Sequence, residues 1–503
     1  MNKQSYGLYF SLLACLLLSL LYAPPFDLGM SDKEIFRYIG WAMSKGVVPY
    51  RDVFDHKPPV IFFIYAAGLL AGGPWGLWLL NTLLALVTTG LLFRRCIRYR
   101  VPFPWLLPLL LNLMLRDHLI SEGLNMTREY TSWFFVLFFC LLLTRWRYRY
   151  MAMGFLGGLI FFTQQDQVLP LVPFIIYVLF TNDSVLPGDK TLLKRRIPAG
   201  RRLLHMCAGF TIVVVPIIIF FAIHRSIGLF WEDAFLFNFK VYTVQPKSPG
   251  DHFRTVKRVL DAGNYELPFM VAACLGVVAL IRPGKRKALI GAAFTAFLLT
   301  LCSEFMGGRY KGQTFTVDYT YYFIPVSAGV CVLLFTVFAV EEAATATSLA
   351  ARLPYILLLC CSVGYTAVQH ATHLQRRDQD PVIQSPELNY LRQHRPGNYE
   401  LYVFQNDDYI AAYNELQILA PSRWLYQHFW HWYVDWDADG AILRSIGDDL
   451  LLHHTRFLII DPANPIRNPA NREWWQSFIQ SHYQPVPMPG KQQTLLWQLK
   501  ADP

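Results

Sequence analysis

The stretch that decides the fold is "SDKEIFRYIGWAMSKGVVPYRDVFDHKPPV", Ser31 to Val60. An apolar run from Tyr6 to Tyr22 precedes it, and apolar runs resume directly after it. Between them stand Asp, Glu, Lys, Arg, His and aromatic residues in close company. Ser31-Asp32-Lys33-Glu34 has the S-x-x-E form of a capping box, in which Ser31 and Glu34 close a helix start. Ile35, Ile39 and Met43 fall on one helical face, with Phe36 on its flank. Trp41 lies further round, where an amphipathic ring suits the lipid headgroups, and Gly46 is a natural stop. The pattern predicts an amphipathic helix too polar to span, lying in the membrane interface. Pro58-Pro59 suit a second helix start, and Gly72-Gly73 end it. Its roughly 14 residues give about 21 Å at 1.5 Å per residue, too short to cross. Two interfacial helices then frame Asp52, Asp55, His56 and Lys57.

Working outward, the composition places the rest of the chain in a membrane. Of 503 residues 54% are hydrophobic and 16% aromatic, and only 16% are charged, against roughly a quarter in a soluble domain. The net charge of +10 sits in short blocks between apolar runs, which argues for topology and against a nucleic-acid partner. Apolar runs near residues 7–23, 74–93, 103–115, 129–144, 151–163, 166–180, 206–223, 267–281, 288–303, 320–340 and 353–368 read as about eleven spans. With the N-terminus in the cytoplasm, four inner loops carry Arg94–Arg100, Arg145–Arg149, Lys190–Arg202 and Arg282–Lys287, as the positive-inside rule requires. Ser31–Val60, the loop around Glu122, the loop 225–267 and the tail then face outward. None of the nine cysteines lies after His370, and none has zinc-site spacing.

The tail reads differently. Ser385 as N-cap with Pro386 in the first turn starts a helix. "YELYVFQ", "RFLIID" and "QTLLWQL" read as strands, with helices near Ala441–Leu452 and Arg472–His482 between the later ones. The expected architecture is mostly α: a polytopic bundle over residues 1–369, followed by a small extracytoplasmic (periplasmic) α/β domain over 370–503.

From the residues alone the first outer loop is either a headgroup anchor or a surface site for a lipid-linked phosphate. "SDKEIFRYIGWAMSKGVVPYRDVFDHKPPVIFFIYA" resembles the first outer loop of polyprenyl-phosphate-dependent GT-C glycosyltransferases. The bacterial members related to protein O-mannosyltransferases and to the lipid A aminoarabinose transferase are the nearest. Asp32, Gly46, Pro49-Tyr50, Asp52 and Asp55-His56-Lys57-Pro58-Pro59 carry the match. More weakly, "EGLNMTREY" resembles the second outer loop, with Leu124 as an extra residue. "FFTQQDQVLPL" has Gln164 where many relatives have Lys, and "GGRYKGQTFTVDYTYYFIP" has Tyr321-Tyr322 where relatives have His-Tyr.

The resemblance implies an inverting transfer of a sugar from a polyprenyl-phosphate donor to an envelope glycan, lipid or protein acceptor, at the outer face of the inner membrane. That chemistry needs a base for the acceptor proton and positive charge on the leaving phosphate. It makes Asp32 the base and Lys57, before a helix start, a phosphate ligand. Arg309 is a second phosphate candidate, with Arg254, Lys257 and Arg258 behind it. Glu129 and Glu122 are candidates to position the acceptor, while Asp117-His118 reads as solvated loop. Asp52, Asp55 and His56 are expected to structure the loop. No cofactor or catalytic metal is expected. "DWDADG" matches a calcium loop at Asp435, Asp437, Asp439 and Gly440, but its twelfth position is Ile446 rather than Glu, so a turn capping the next helix is the expectation. The preceding "FWHWYVDW" suits either domain packing or the membrane interface. The rival reading is a transporter or flippase of lipid-linked sugars. It needs ionisable residues near the bilayer midplane, where Asp166 and Glu304 are the acidic candidates.

Overall fold

The computed structural model describes residues 3–24, 31–117, 124–144, 146–181, 197–242, 266–281, 287–306, 324–339, 349–375, 385–425, 430, 436–462, 464–488 and 495–500. The chain is mostly helical, with a small mixed sheet near its end. In chain order the helices are α1 (Lys3–Leu20), α2 (Ser31–Met43), α3 (Val60–Arg98), α4 (Leu106–Leu115), α5 (Thr127–Leu142), α6 (Arg149–Thr163), α7 (Val172–Phe180), α8 (Ala199–Ile223), α9 (Ile227–Trp231), α10 (Glu266–Ile281), α11 (Lys287–Met306), α12 (Ile324–Phe338) and α13 (Leu349–Gln375). Among the described residues two helices are long and apolar enough to cross a membrane, α3 with 39 residues and α8 with 25. Further apolar helical stretches run 10–17 residues, short of the roughly 20 a perpendicular span needs. The expected count of about eleven spans is therefore not confirmed among the described residues.

The predicted stop at Gly72-Gly73 is borne out: the backbone leaves helical geometry there and divides α3 into two helices. Gly72 (φ 170°, ψ 31°) and Gly73 (φ 60°, ψ −144°) leave helical geometry, and Pro74 follows. The chain folds back sharply there. Gly76 lies so close to Gly68 that a Cβ on it would stand 2.2 Å from the Gly68 carbonyl oxygen.

Helix α2 differs from its expectation more. Ile35, Phe36, Tyr38, Ile39 and Ala42 are all essentially inaccessible, and they belong to the main core rather than to a lipid interface. One side of α2 lies on α3 at Gly40, where even a methyl group would meet Tyr65 Cβ at 2.5 Å. The other side is covered by the C-terminal segment. Tyr38 Oη accepts the Ala420 N–H at 2.8 Å, and its ring lies 5.3 Å from that of Tyr413. An amphipathic pattern is equally served by lipid or by protein, and here protein covers both sides.

Beyond α13, which runs through His370, come α14 (Pro386–His394), β1 (Leu401–Phe404), α15 (Ala411–Leu416), α16 (Ala441–Leu452), β2 (Phe457–Ile460), α17 (Pro469–His482), β3 (Tyr483–Pro485) and β4 (Leu496–Leu499). Ser385 caps α14 by accepting the Leu388 N–H at 3.2 Å, with Pro386 in the first turn. The four-stranded sheet has the order β1-β2-β4-β3. β1 and β2 are parallel, and both other pairings are antiparallel. Side chains alternate between its faces as the two-residue period demands. Leu401, Val403, Phe457 and Ile459 join the core that continues into the helical bundle. Tyr402, Phe404 and Leu458 pack with Leu443, Ile446, Trp475 and Ile479 of α16 and α17. The aromatic run resolves toward packing at Trp430, which is 1% exposed within that second core. Asp437 caps α16: its carboxylate accepts the Ile442 and Leu443 N–H groups, each at 2.8 Å.

Gly40→Ala should cost about 1–3 kcal/mol of stability through overpacking of α2 on α3. Gly200→Ala, at a helical position with open space around it, should leave the unfolding midpoint in detergent unchanged or slightly raised. Equal midpoints for the two variants would contradict the α2–α3 contact.

Candidate functional site

Helix α2 presents Asp32 in its first turn, and the loop after it returns Lys57 to the same place. Lys57 Nζ lies 3.3 Å from Asp32 Oδ2 and 5.0 Å from the centre of the Phe36 ring, one helical turn on. Both side chains of the pair are partly exposed, at 17% and 14%, so the contact is sheltered without being closed to a ligand. Ser31 is the first residue of α2, and among the described contacts Glu34 turns toward the C-terminal segment. Its carboxylate is buried and accepts the Asn414 Nδ2 at 2.6 Å, while its carbonyl accepts the same group at 2.9 Å. The capping-box assignment for Glu34 is thus replaced by a tie to the C-terminal segment.

The loop holding Lys57 is shaped by its own polar groups. Asp52 accepts the Val48 N–H at 2.8 Å and pairs with Arg51 at 2.7 Å. Tyr50, in the left-handed region at φ 67°, donates its hydroxyl to the Lys57 carbonyl at 2.6 Å. Asp55 Oδ1 accepts the Lys57 N–H at 2.8 Å. His56 Nδ1 lies 4.0 Å from Asp55 Oδ1, and its carbonyl accepts Asn238 Nδ2 at 2.7 Å.

Electrostatics divide these groups. Burial pushes the Asp55 carboxyl up to about 6, against a partial downward pull from Lys57. Burial, aided by Lys57, holds the His56 imidazole well below its usual range and therefore neutral. Asp233, on the element that follows α9, is pushed up to about 7 by burial, although Arg423 pulls the other way. Asp52, hydrogen-bonded to Arg51 and Val48, lies below its usual value despite some burial.

Glu129 sits elsewhere, at the start of α5 and inaccessible. Oε1 accepts Asn81 Nδ2 at 3.0 Å and Trp133 Nε1 at 3.1 Å, and Oε2 accepts the Asn125 N–H at 2.6 Å. It braces the turn at Leu124 and Asn125, both of which have positive φ. Asp117, expected in a solvated loop, is buried and lies 3.7 Å from His370 Nδ1. Asp166 stands 3.9 Å from the buried Arg128. Arg309, Glu122, Arg254, Lys257, Arg258, His118 and Tyr321-Tyr322 lie outside the described residues, as does Asp435 of the calcium-like turn, and the Glu304 side chain is likewise not described. Arg423, Asp233, Asn238 and Asn414 escaped the sequence reading. They meet α2 and the loop after it across long stretches of chain, and no local spacing signals that.

Compared with known proteins, no family model matches this chain, and no curated protein matches it in sequence. Its fold, however, is shared with solved structures. ArnT from Cupriavidus metallidurans bound to undecaprenyl phosphate superposes with a TM-score of 0.55 at 14% identity, covering 83% of this chain and 86% of that one. The same protein in its apo state gives 0.54 at 13% identity over the same shares. The archaeal oligosaccharyltransferase AglB from Archaeoglobus fulgidus, in complex with an inhibitory peptide and a dolichol-phosphate, gives 0.44 at 13% identity, too low to carry a statement about fold. The likeness to ArnT is one of fold.

The burial of Asp55 has a measurable consequence. Its carboxyl ionises near 3.8 when unfolded and near 6 when folded. Between these values the folded state holds the extra proton, so stability falls as pH rises. Asp55→Asn keeps an acceptor for the Lys57 N–H and removes that dependence. Relative to the parent, the variant should gain up to roughly 3 kcal/mol on going from pH about 4 to above 6. Unfolding midpoints at three pH values check this, and a pH-independent difference would contradict it.

Proposed function

We propose that this chain is an integral-membrane glycosyltransferase that uses a polyprenyl-phosphate-linked sugar at the outer face of the membrane. The observation that carries the reading is the Asp32–Lys57 contact at 3.3 Å, in a chain with the fold of a protein solved with undecaprenyl phosphate. A carboxylate beside an ammonium supplies the two groups that displacement at a glycosyl phosphate requires. Asp32 takes the proton of the acceptor hydroxyl or amine as that group attacks C1 of the sugar. The C1–O bond to phosphate breaks on the opposite face, the configuration inverts, and polyprenyl phosphate departs. Lys57 bears the charge developing on the leaving phosphate. Its ammonium has three donors, enough to hold Asp32 and a phosphate oxygen together. The start of α3, just after Pro59, adds backbone N–H groups that favour an anion.

Within this reading Asp52, Asp55 and His56 shape the loop, and Glu129 braces the base of the second outer loop rather than touching the acceptor. The C-terminal α/β segment belongs outside the membrane with the loop it covers. The acceptor is an envelope glycan, lipid or protein.

Full-length protein in lipid nanodiscs tests the assignment. Wild type should bind undecaprenyl phosphate and transfer sugar from a polyprenyl-phosphate donor to an envelope extract. Asp32→Asn should retain donor binding and lose about 10²–10⁴-fold in transfer. Lys57→Met should weaken donor binding by about tenfold or more. Undiminished transfer in Asp32→Asn would remove it as the base. A wild type that neither binds undecaprenyl phosphate nor transfers sugar would sink the reading.

A further inference from the structure

The loop that presents Lys57 contains no helix or extended strand of its own, so what holds it matters. Two of its hydrogen bonds come from distant parts of the chain. Asn238 reaches the His56 carbonyl, and the Phe54 N–H donates to the Arg423 carbonyl at 2.7 Å. Arg423 is itself pinned three ways. Its Nη2 donates to Asp233 Oδ2 at 2.6 Å, with both side chains largely sheltered, at 25% and 12% exposure. Its guanidinium lies over the rings of Trp424 at 4.9 Å and Phe54 at 6.0 Å, and those two rings are 4.7 Å apart. Three separate stretches of chain therefore converge on one side chain: the Lys57 loop, the element after α9, and the C-terminal segment.

The same C-terminal segment also grips the other half of the charged pair. Asn414 binds Glu34, two residues from Asp32, and the Ala420 N–H binds Tyr38 on the next turn of α2. Residues 414–423 thus hold both the helix that presents Asp32 and the loop that presents Lys57.

We propose that Arg423 is a positioning residue: its guanidinium, fixed on Asp233 and the Phe54 and Trp424 rings, holds its own carbonyl on Phe54 and so sets the reach of Lys57 to Asp32. The consequence for ligand rests on the reading that this pair handles a lipid-linked phosphate; the consequence for the loop does not. Fixing a flexible ammonium ahead of binding removes an ordering cost that would otherwise weaken affinity. Arg423 touches neither member of the pair in the described contacts, so it acts through the loop alone.

The experiment uses the full-length protein in nanodiscs with two readouts: hydrogen exchange of the amides in residues 53–57, and binding of undecaprenyl phosphate. Arg423→Ala should speed exchange in the loop and weaken binding about tenfold. Arg423→Lys, which restores a cation opposite Asp233, should recover most of both, which a nonspecific packing loss would not do. If Arg423→Ala fails to fold, Asp233→Ala removes the same tie from its other end and should give the same two changes. Unchanged loop exchange in a folded variant overturns the proposal, and so does failure of lysine to rescue. If wild type does not bind undecaprenyl phosphate but the exchange results hold, the glycosyltransferase reading falls and the positioning role of Arg423 stands.

Discussion

The contact between Asp32 and Lys57 depends on the packing of α2 against α3 and against the C-terminal segment. In so sheltered a pair the cost of desolvating two charges offsets much of their attraction, so the pair is not what brings its partners together. The order of causes runs the other way. The apolar face of α2, closed onto α3 at Gly40 and Tyr65, fixes where Asp32 stands. The Tyr50 hydroxyl and the Asp55 carboxylate, both bound to the backbone of Lys57, fix where the ammonium stem begins. Packing creates the geometry, and the two charges occupy it.

Covering α2 on both sides has an electrostatic price. The C-terminal segment helps to bury the loop that carries Lys57, and so Asp55 and Asp233 lose hydration and resist ionisation. Arg423 and Lys57 each offset part of that cost. The aromatic residues around them, Phe54, Phe237, Trp424 and Trp436, form successive ring contacts of 4.7–6.3 Å. Apolar packing of this kind lowers the local dielectric and makes each remaining charge interaction stronger than it would be in water.

The sequence made local features legible and long-range ones invisible. The S-P start of α14, the three hydrophobic strand runs and the helix at Ala441–Leu452 follow from caps and periodicity, which act within a few residues. The Gly72-Gly73 break was equally plain, because only backbone without a Cβ adopts φ 60°, ψ −144° cheaply. The burial of α2 was not, since an amphipathic stripe does not say whether lipid or protein will meet it. Glu34 satisfied a capping pattern, yet it was drawn to Asn414, a partner hundreds of residues away. For the same reason Asp117, read as solvated, lies buried against His370. The choice of Asp32 and Lys57 came from the family likeness of the loop, but their contact at 3.3 Å and the Arg423–Asp233 contact had no pattern to announce them.

If Lys57 holds a phosphate as proposed, the buried Asp55 carboxylate directly behind it would oppose that ligand with its own charge. Asp55 avoids the conflict because its ionisation is conditional. With no ligand present, Lys57 pulls the Asp55 carboxyl down against burial and leaves it near 6, where it still carries charge at neutral pH and balances the ammonium. An anion arriving at Lys57 cancels part of that pull and adds its own repulsion, and both raise the Asp55 carboxyl further. On that reading the bound state favours the protonated form of the group. A protonated Asp55 still accepts the Lys57 N–H through its carbonyl oxygen, so the loop keeps its shape while the opposing charge disappears. The same carboxyl can therefore brace the loop in both states without repelling the phosphate in the second.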